Sequence, residues 1–269
     1  MKTRTVRQNG ITIHHVVGNI PLSFWSESYH SHDHAEVFIH VRGQMELFIE
    51  NSVYHHNSNE IRIYAPGELH FGRCVQEMEM EWYQISLPSS FLEENPTLAC
   101  RITDRKKGRG NIFISKKQET LISLLEEIFV TQGSILAEHY LYADLIKILC
   151  ILNEPECNID VEMGKNESLQ SILELVNDNL PEVRTVNDIA ALTHFSPSYV
   201  HQLFKRYLNI TPHGYLTVKR MEMARELLAG GISVSEACFA AGFSSYPNFI
   251  TAFKKYFGVT PKNYAKANV

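Results

Sequence analysis

The 269-residue sequence has no apolar run approaching the ~18 residues that a bilayer-spanning helix requires, so no membrane association is expected. Cysteine is sparse as well. The five (Cys74, Cys100, Cys150, Cys157, Cys238) are odd in number and scattered, and none forms a CxxC pair. This argues against a disulfide scaffold, a zinc knuckle and a dithiol redox motif. A reducing cytoplasm is the simplest compartment for such a chain. The first residues, MKTRTVRQNGITIHH, lack the apolar centre of a secretory signal. No phosphate loop, dinucleotide fingerprint or serine-histidine-acid frame supports catalysis of those kinds. What remains is an ordinary globular composition, 44% hydrophobic and 20% charged. The length suits two domains.

Net charge is −5, but it is unevenly spread. From Ser168 to Val269 ten basic and seven acidic residues give +3, while residues 1–167 hold 15 basic and 23 acidic residues, −8. A basic carboxy-terminal part is suited to phosphate, and local charge matters more there than the total.

Residues 1–15 read as an arm with little periodicity. From about 20 to 90 the texture is β. Short runs rich in β-branched and aromatic residues (Val37–Val41, Met45–Ile49, Ile61–Tyr64, Met80–Leu87) alternate with turn signals such as Arg42-Gly43 and Pro66-Gly67. That spacing predicts a barrel or jelly roll. His55-His56 reads as a solvated turn. Apolar residues at helical period then predict helices over 116–131, opened by a capping box at Ser115–Gln118, and over 135–153. Residues 154–167, with Pro155 and Gly164, read as a linker. After Ser168 the starts are well marked: Thr185 and Ser233 open capping boxes, and Ser196, Thr211 and Thr260 each precede a proline. Helices are expected near 168–179, 185–193, 197–208, 212–229, 233–240, 245–257 and 261–267.

Two stretches of this part repeat one plan. Each has a short capped helix, a tight turn and a serine-capped helix, ending at Phe204-Lys205-Arg206-Tyr207 or Phe253-Lys254-Lys255-Tyr256. Each then restarts at Thr-Pro. This is the pattern of two helix-turn-helix units, at about 185–206 and 233–256, whose second helices enter the major groove of double-stranded DNA. In the first, Ser198, His201 and Gln202 share one face; Gln202 suits adenine, and His201 a guanine or a phosphate. Lys205 and Arg206 would clamp phosphate. In the second, Tyr246, Asn248 and Thr251, with Pro247, form the reading face, and Lys254 and Lys255 hold the backbone. Val200, Leu203, Phe204, Phe249, Ile250 and Phe253 are expected in the core.

Three motifs (SPSYVHQLFKRY, KRMEMARELL from Lys219 to Leu228, and AAGFSSYPNFITAFKKYFGVTPKNY from Ala240 to Tyr264) make residues 168–269 resemble the DNA-binding domain of the AraC/XylS family. The resemblance implies transcription control, often activation through contact with RNA polymerase. Two positions depart from the family pattern: His194 stands where glycine is common, and Pro247 lies in the first turn of the second reading helix.

The segment His30-Ser31-His32-Asp33-His34-Ala35-Glu36, followed by Gly43 and later by Pro66-Gly67 and His70, resembles the two cupin motifs. The family's small-molecule domains share that fold. The implied architecture is an all-β cupin or jelly-roll barrel followed by two helices (residues 1–153), then an all-α domain with two helix-turn-helix units (168–269). His30, His32, Glu36, His70 and Trp82 are the candidate ligand-binding residues. Trp82 either stacks on a flat ligand or fills the core. The reading expects a small-molecule effector, a homodimer, no cofactor and no resident metal. Two alternatives stay open: a metal-dependent cupin enzyme using His30, His32, Glu36 and His70, and a regulator whose barrel serves only to dimerise.

Overall fold

A computed structural model describes residues 1–21, 29–50, 52–74, 76–154 and 167–267. The chain divides into two compact units, Met1–Lys165 and Asn166–Val269. The linker expected at 154–167 lies almost wholly outside the described residues.

Among its described residues the first unit carries nine strands: β1 (Lys2–Gln8), β2 (Ile11–Ile20), β3 (Ala35–Arg42), β4 (Met45–Ile49), β5 (Ser52–His56), β6 (Glu60–Tyr64), β7 (His70–Arg73), β8 (Met78–Leu87) and β9 (Ile112–Ile114). They form a six-stranded sheet in the order β1-β2-β8-β3-β6-β9 and a three-stranded sheet in the order β5-β4-β7. All pairings are antiparallel. Helices α1 (Ser89–Glu94), α2 (Pro96–Thr103), α3 (Gln118–Thr131) and α4 (Ala137–Leu152) complete the unit.

The period of two explains the layering. Along β3 and β8, Val37, Ile39, Tyr83 and Ile85 join Leu121, Leu125, Ile128, Leu145 and Ile148 of α3 and α4 in one buried cluster. The alternate residues Phe38 and Trp82 join Met45, Leu47 and Tyr54 of the smaller sheet in another. Helices therefore cover one face of the large sheet, and the small sheet faces the other.

Several expectations are corrected. Residues 1–15 are not an arm: β1 and β2 form a hairpin whose turn, Asn9 (φ 48°) and Gly10 (φ 79°), is left-handed at both positions. His55-His56 is not a solvated turn but part of β5, with His56 buried. Ser115 forms no capping box. Its Oγ accepts the Lys117 N–H at 3.1 Å, and the cap of α3 has no side-chain hydrogen bond. The short helices α1 and α2 were not anticipated.

The second unit is all helical: α5 (Glu167–Asp178), α6 (Val186–Thr193), α7 (Pro197–Leu203), a π-helical turn (Phe204–Leu208), α8 (Pro212–Ala229), α9 (Val234–Ala240), α10 (Tyr246–Phe257) and α11 (Pro261–Ala267). The caps act as their residue types dictate. Thr185 and Asp188 make a complete capping box, and Ser196, Thr211, Ser233 and Ser245 each accept a first-turn N–H. One difference is the π turn, which ends the expected 197–208 helix with wider winding over Phe204–Leu208.

Candidate functional sites: a barrel cavity and two exposed helix faces

Between the sheets of the first unit lies a cavity of about 440 Å³. Its wall is largely apolar (Val16, Phe38, Met45, Leu47, Phe71, Trp82), with a few polar groups: His14, His30, Glu36, Arg62, His70 and Gln84. This mixture of apolar surface and sparse polar anchors is what small-molecule sites present. Strand register makes the wall. Val16 pairs with Trp82, and His14 with Gln84. Phe38 pairs with Gln84 on one side and Arg62 on the other. Trp82 and Gln84 are thus on the cavity face, and Tyr83 and Ile85 on the helix face.

Of the five ligand residues expected from sequence, His30, Glu36, His70 and Trp82 line this cavity, and His32 does not. The His32 ring stacks on His34 (4.0 Å between centroids, 14° between planes). His30 and His70 come together through a bridge in which each backbone N–H donates to the other's carbonyl, at 3.1 and 2.8 Å. Tyr64 stacks on His70 at 3.9 Å.

Glu36 organises the polar end. Gln84 Nε2 donates to its Oε1 at 2.6 Å. His32 Nε2 lies 3.1 Å from Oε2, His34 Nε2 3.6 Å from Oε1, and His70 Nε2 4.0 Å from Oε2. Burial pushes the Glu36 carboxyl up, but the hydrogen bonds from His32 and His34 outweigh it and hold the group well below the usual carboxylate range. Glu36 in turn raises His34. Burial, with His30 and His32 nearby, lowers His70 to about 3. Ligand atoms of His32, His34 and Glu36 lie within 4.8 Å of one another. Among the described residues this trio, which includes His34 rather than His30 or His70, is the set spaced to hold a cation.

Sequence reasoning missed Arg62, His14 and His34. Arg62 occupies the alternate face of β6 from Ile61 and Ile63, beside Tyr64. The alternation Glu60-Ile61-Arg62-Ile63-Tyr64 carries that signal once the buried face is known. Burial lowers its guanidinium from the ordinary arginine value.

In the second unit, Ser198, His201, Gln202, Lys205 and Arg206 are exposed on α7 and the π turn. Tyr246, Asn248, Thr251, Lys254 and Lys255 are exposed on α10. Val200, Leu203, Phe204, Phe249 and Phe253 are buried, so each helix presents its polar face outward; Ile250 is partly buried. Two of these side chains have local partners: Lys205 Nζ donates to Asn209 Oδ1 at 3.2 Å, and Thr251 Oγ1 to the Pro247 carbonyl at 3.1 Å. The turn positions differ in kind. His194 ends α6 in the left-handed region (φ 58°), whereas Gly242 (φ 86°) follows α9. A Cβ on Gly242 would stand 2.9 Å from Arg220 Nε and 3.2 Å from Pro181. Arg220 is held there by donating to the Val183 carbonyl at 2.6 Å. Glu222 and Arg225 pair at 2.8 Å within α8.

Residues 23–144 match the model of an AraC-like ligand binding domain, and residues 189–267 that of a helix-turn-helix domain. The chain is 23% identical to the probable transcriptional regulator LumQ of Photobacterium leiognathi, over 89% of this chain and 92% of that protein. It is 29% identical to the melibiose operon regulatory protein of Escherichia coli over 36% of this chain and 33% of the relative. Among solved structures, ToxT from Vibrio cholerae aligns with 94% of this chain at a TM-score of 0.39 and 15% identity, over 97% of that structure. The chain belongs to the AraC-type family of transcriptional regulators, with a ligand-binding domain followed by a helix-turn-helix DNA-binding domain.

Proposed function

We propose that this regulator responds to a small molecule held in the barrel cavity and controls promoters that α7 and α10 read in successive major-groove segments. The observation that carries this reading is the cavity itself: its size and its sparse polar anchors suit a ligand. A barrel serving only for dimerisation would have its interior filled by side chains. On the DNA side, Ser198, His201, Gln202, Tyr246, Asn248 and Thr251 face bases, and Lys205, Arg206, Lys254 and Lys255 face phosphates.

The protein acts as a cytoplasmic homodimer, without catalysis, and activates through RNA polymerase. Support for the dimer is a stripe along α4, where Tyr140, Ala143, Ile146 and Cys150 are exposed, continued by Leu136. The metal-dependent reading keeps one favourable observation, the spacing of His32, His34 and Glu36. Metal analysis of the purified protein tests it.

The deciding experiment is retention of genomic fragments by the full-length protein, followed by salt titration. The expected result is a small set of fragments sharing a motif and still bound at roughly 150–200 mM salt. Indiscriminate binding that salt abolishes would overturn the reading of α7 and α10.

A further inference from the structure

Arg62 is a buried cation with no carboxylate in contact among the described residues; Glu36, on the same wall, acts on it only at longer range. The residue is 4% exposed and lines the cavity. Its guanidinium carbon lies 3.8 Å from the Phe38 ring centroid and 5.5 Å from that of Tyr64. Nη1 is 2.7 Å from Met45 Sδ, a weak acceptor, and Nε has no hydrogen-bond partner. No carboxylate among the described residues lies within ion-pair distance of it. Elsewhere the buried Arg225 has Glu222, and the partly buried Arg105 has Glu68. On the cavity wall the acid is Glu36, and its oxygens are already occupied by Gln84, His32 and His34.

A guanidinium removed from water without a partner is costly, and a ring face compensates only in part. The group that satisfies it best is a carboxylate, whose two oxygens match its fork. Apart from the polar groups of His14, His30, Glu36, His70 and Gln84, the wall is apolar and aromatic. We infer that the effector is an apolar carboxylic acid whose carboxylate pairs with Arg62 while its hydrocarbon or aryl part lies against Val16, Phe38, Leu47, Phe71 and Trp82. This rests on the reading of the cavity as the effector site.

The test uses the full chain and a panel of octanoate, decanoate, benzoate, 3-phenylpropanoate and indole-3-acetate, each beside its primary amide. Binding is read by melting temperature and by tryptophan fluorescence, to which Trp82 contributes from the cavity wall. At least one acid should bind roughly ten- to a hundredfold more tightly than its amide. Arg62→Met should erase that difference, and Arg62→Lys should keep part of it. Amides that bind as well as acids, or an Arg62→Met protein that binds the acid as tightly as the parent, would overturn the inference and leave the cavity as the effector site. A panel in which neither acids nor amides bind would overturn it together with the effector reading. Should Arg62→Met fail to fold, the acid-to-amide ratios of the parent and of Arg62→Lys decide.

Discussion

Lowering the pH from 7 to 5 should loosen the N-terminal unit, and its buried histidines, the pair His40 and His56 foremost, set the size of the effect. Each is 1% exposed, and their rings meet edge-on at 4.6 Å. His40 Nε2 donates to the Arg42 carbonyl at 2.7 Å, which fixes a neutral tautomer. Its Nδ1 has no hydrogen-bond partner. Burial, then the neighbouring His56 and Arg62, bring His40 down to about 2. Burial and Arg62 take His56 well below its ordinary value. Glu60, 3.1 Å from His56 Nδ1, is the nearest opposing charge. Both rings therefore stay neutral when folded, whereas in the unfolded chain they take up protons near pH 6.5. The stability they protect is complete above that value and is lost as pH falls below it toward the folded values. For His40 the loss between pH 7 and 5 is roughly 2 kcal/mol, and His56 and buried His70, which is lowered to about 3, add in the same direction. His34, raised by Glu36, works the other way, but it is partly exposed and offsets only a fraction. Glu36 and Glu68, both held below the ordinary carboxylate range, lose their contribution only in more acid solution. Urea unfolding followed by tryptophan fluorescence isolates this unit, because the sequence has no tryptophan after Trp82. The unfolding free energy should fall by at least about 2 kcal/mol, and by less in a His40→Asn variant. Equal values at pH 7 and pH 5 would refute the argument that these rings are buried and neutral.

Three further outcomes follow from the second unit. Gly242→Ala should cost about 1–3 kcal/mol and weaken DNA binding, since the new Cβ meets Pro181 and Arg220 at a positive φ; thermal melting of the helical signal measures it. His194→Gly should act oppositely, stabilising the unit by up to about 1 kcal/mol, because glycine adopts that left-handed cap without strain. Lys254→Ala should reduce the slope of log affinity against log salt by about 0.9 without changing which sequences are preferred; an unchanged slope removes Lys254 from the phosphate contacts.

The helical unit was legible because its boundaries are written in side chains that act locally. Thr185, Ser196, Thr211, Ser233 and Ser245 each cap a helix within three residues of themselves. The π turn was not legible, since Phe204–Leu208 offers the same apolar spacing as an α-helix. The first hairpin was obscured by its edge strand, where Val6 is the one buried residue of β1 and leaves no alternation to detect. The Asn9-Gly10 turn was the available signal. The motif at Ser115 has the letters of a capping box, but the hydroxyl is used two residues on and makes a turn. In the barrel, three residues of the histidine and glutamate frame, His30, Glu36 and His70, fall on the cavity wall, and His32 does not. Arg62 and His34 needed the register of β6 against β3 and the stacking of His32, which are tertiary facts.

Strand β8 is a partition only one residue thick. Trp82 and Gln84 belong to the cavity; Tyr83, between them in sequence, donates its hydroxyl to Glu126 of α3. His15 stacks on Tyr83 at 4.2 Å, and Arg4 of β1 pairs with the same Glu126. The chamber and the helix pair therefore need no hinge or relay between them. A molecule that pushes on Trp82 pushes on the peptide that carries Tyr83. Alternate positions of one strand thus belong to two different surroundings, the chamber wall and the cluster under the helices.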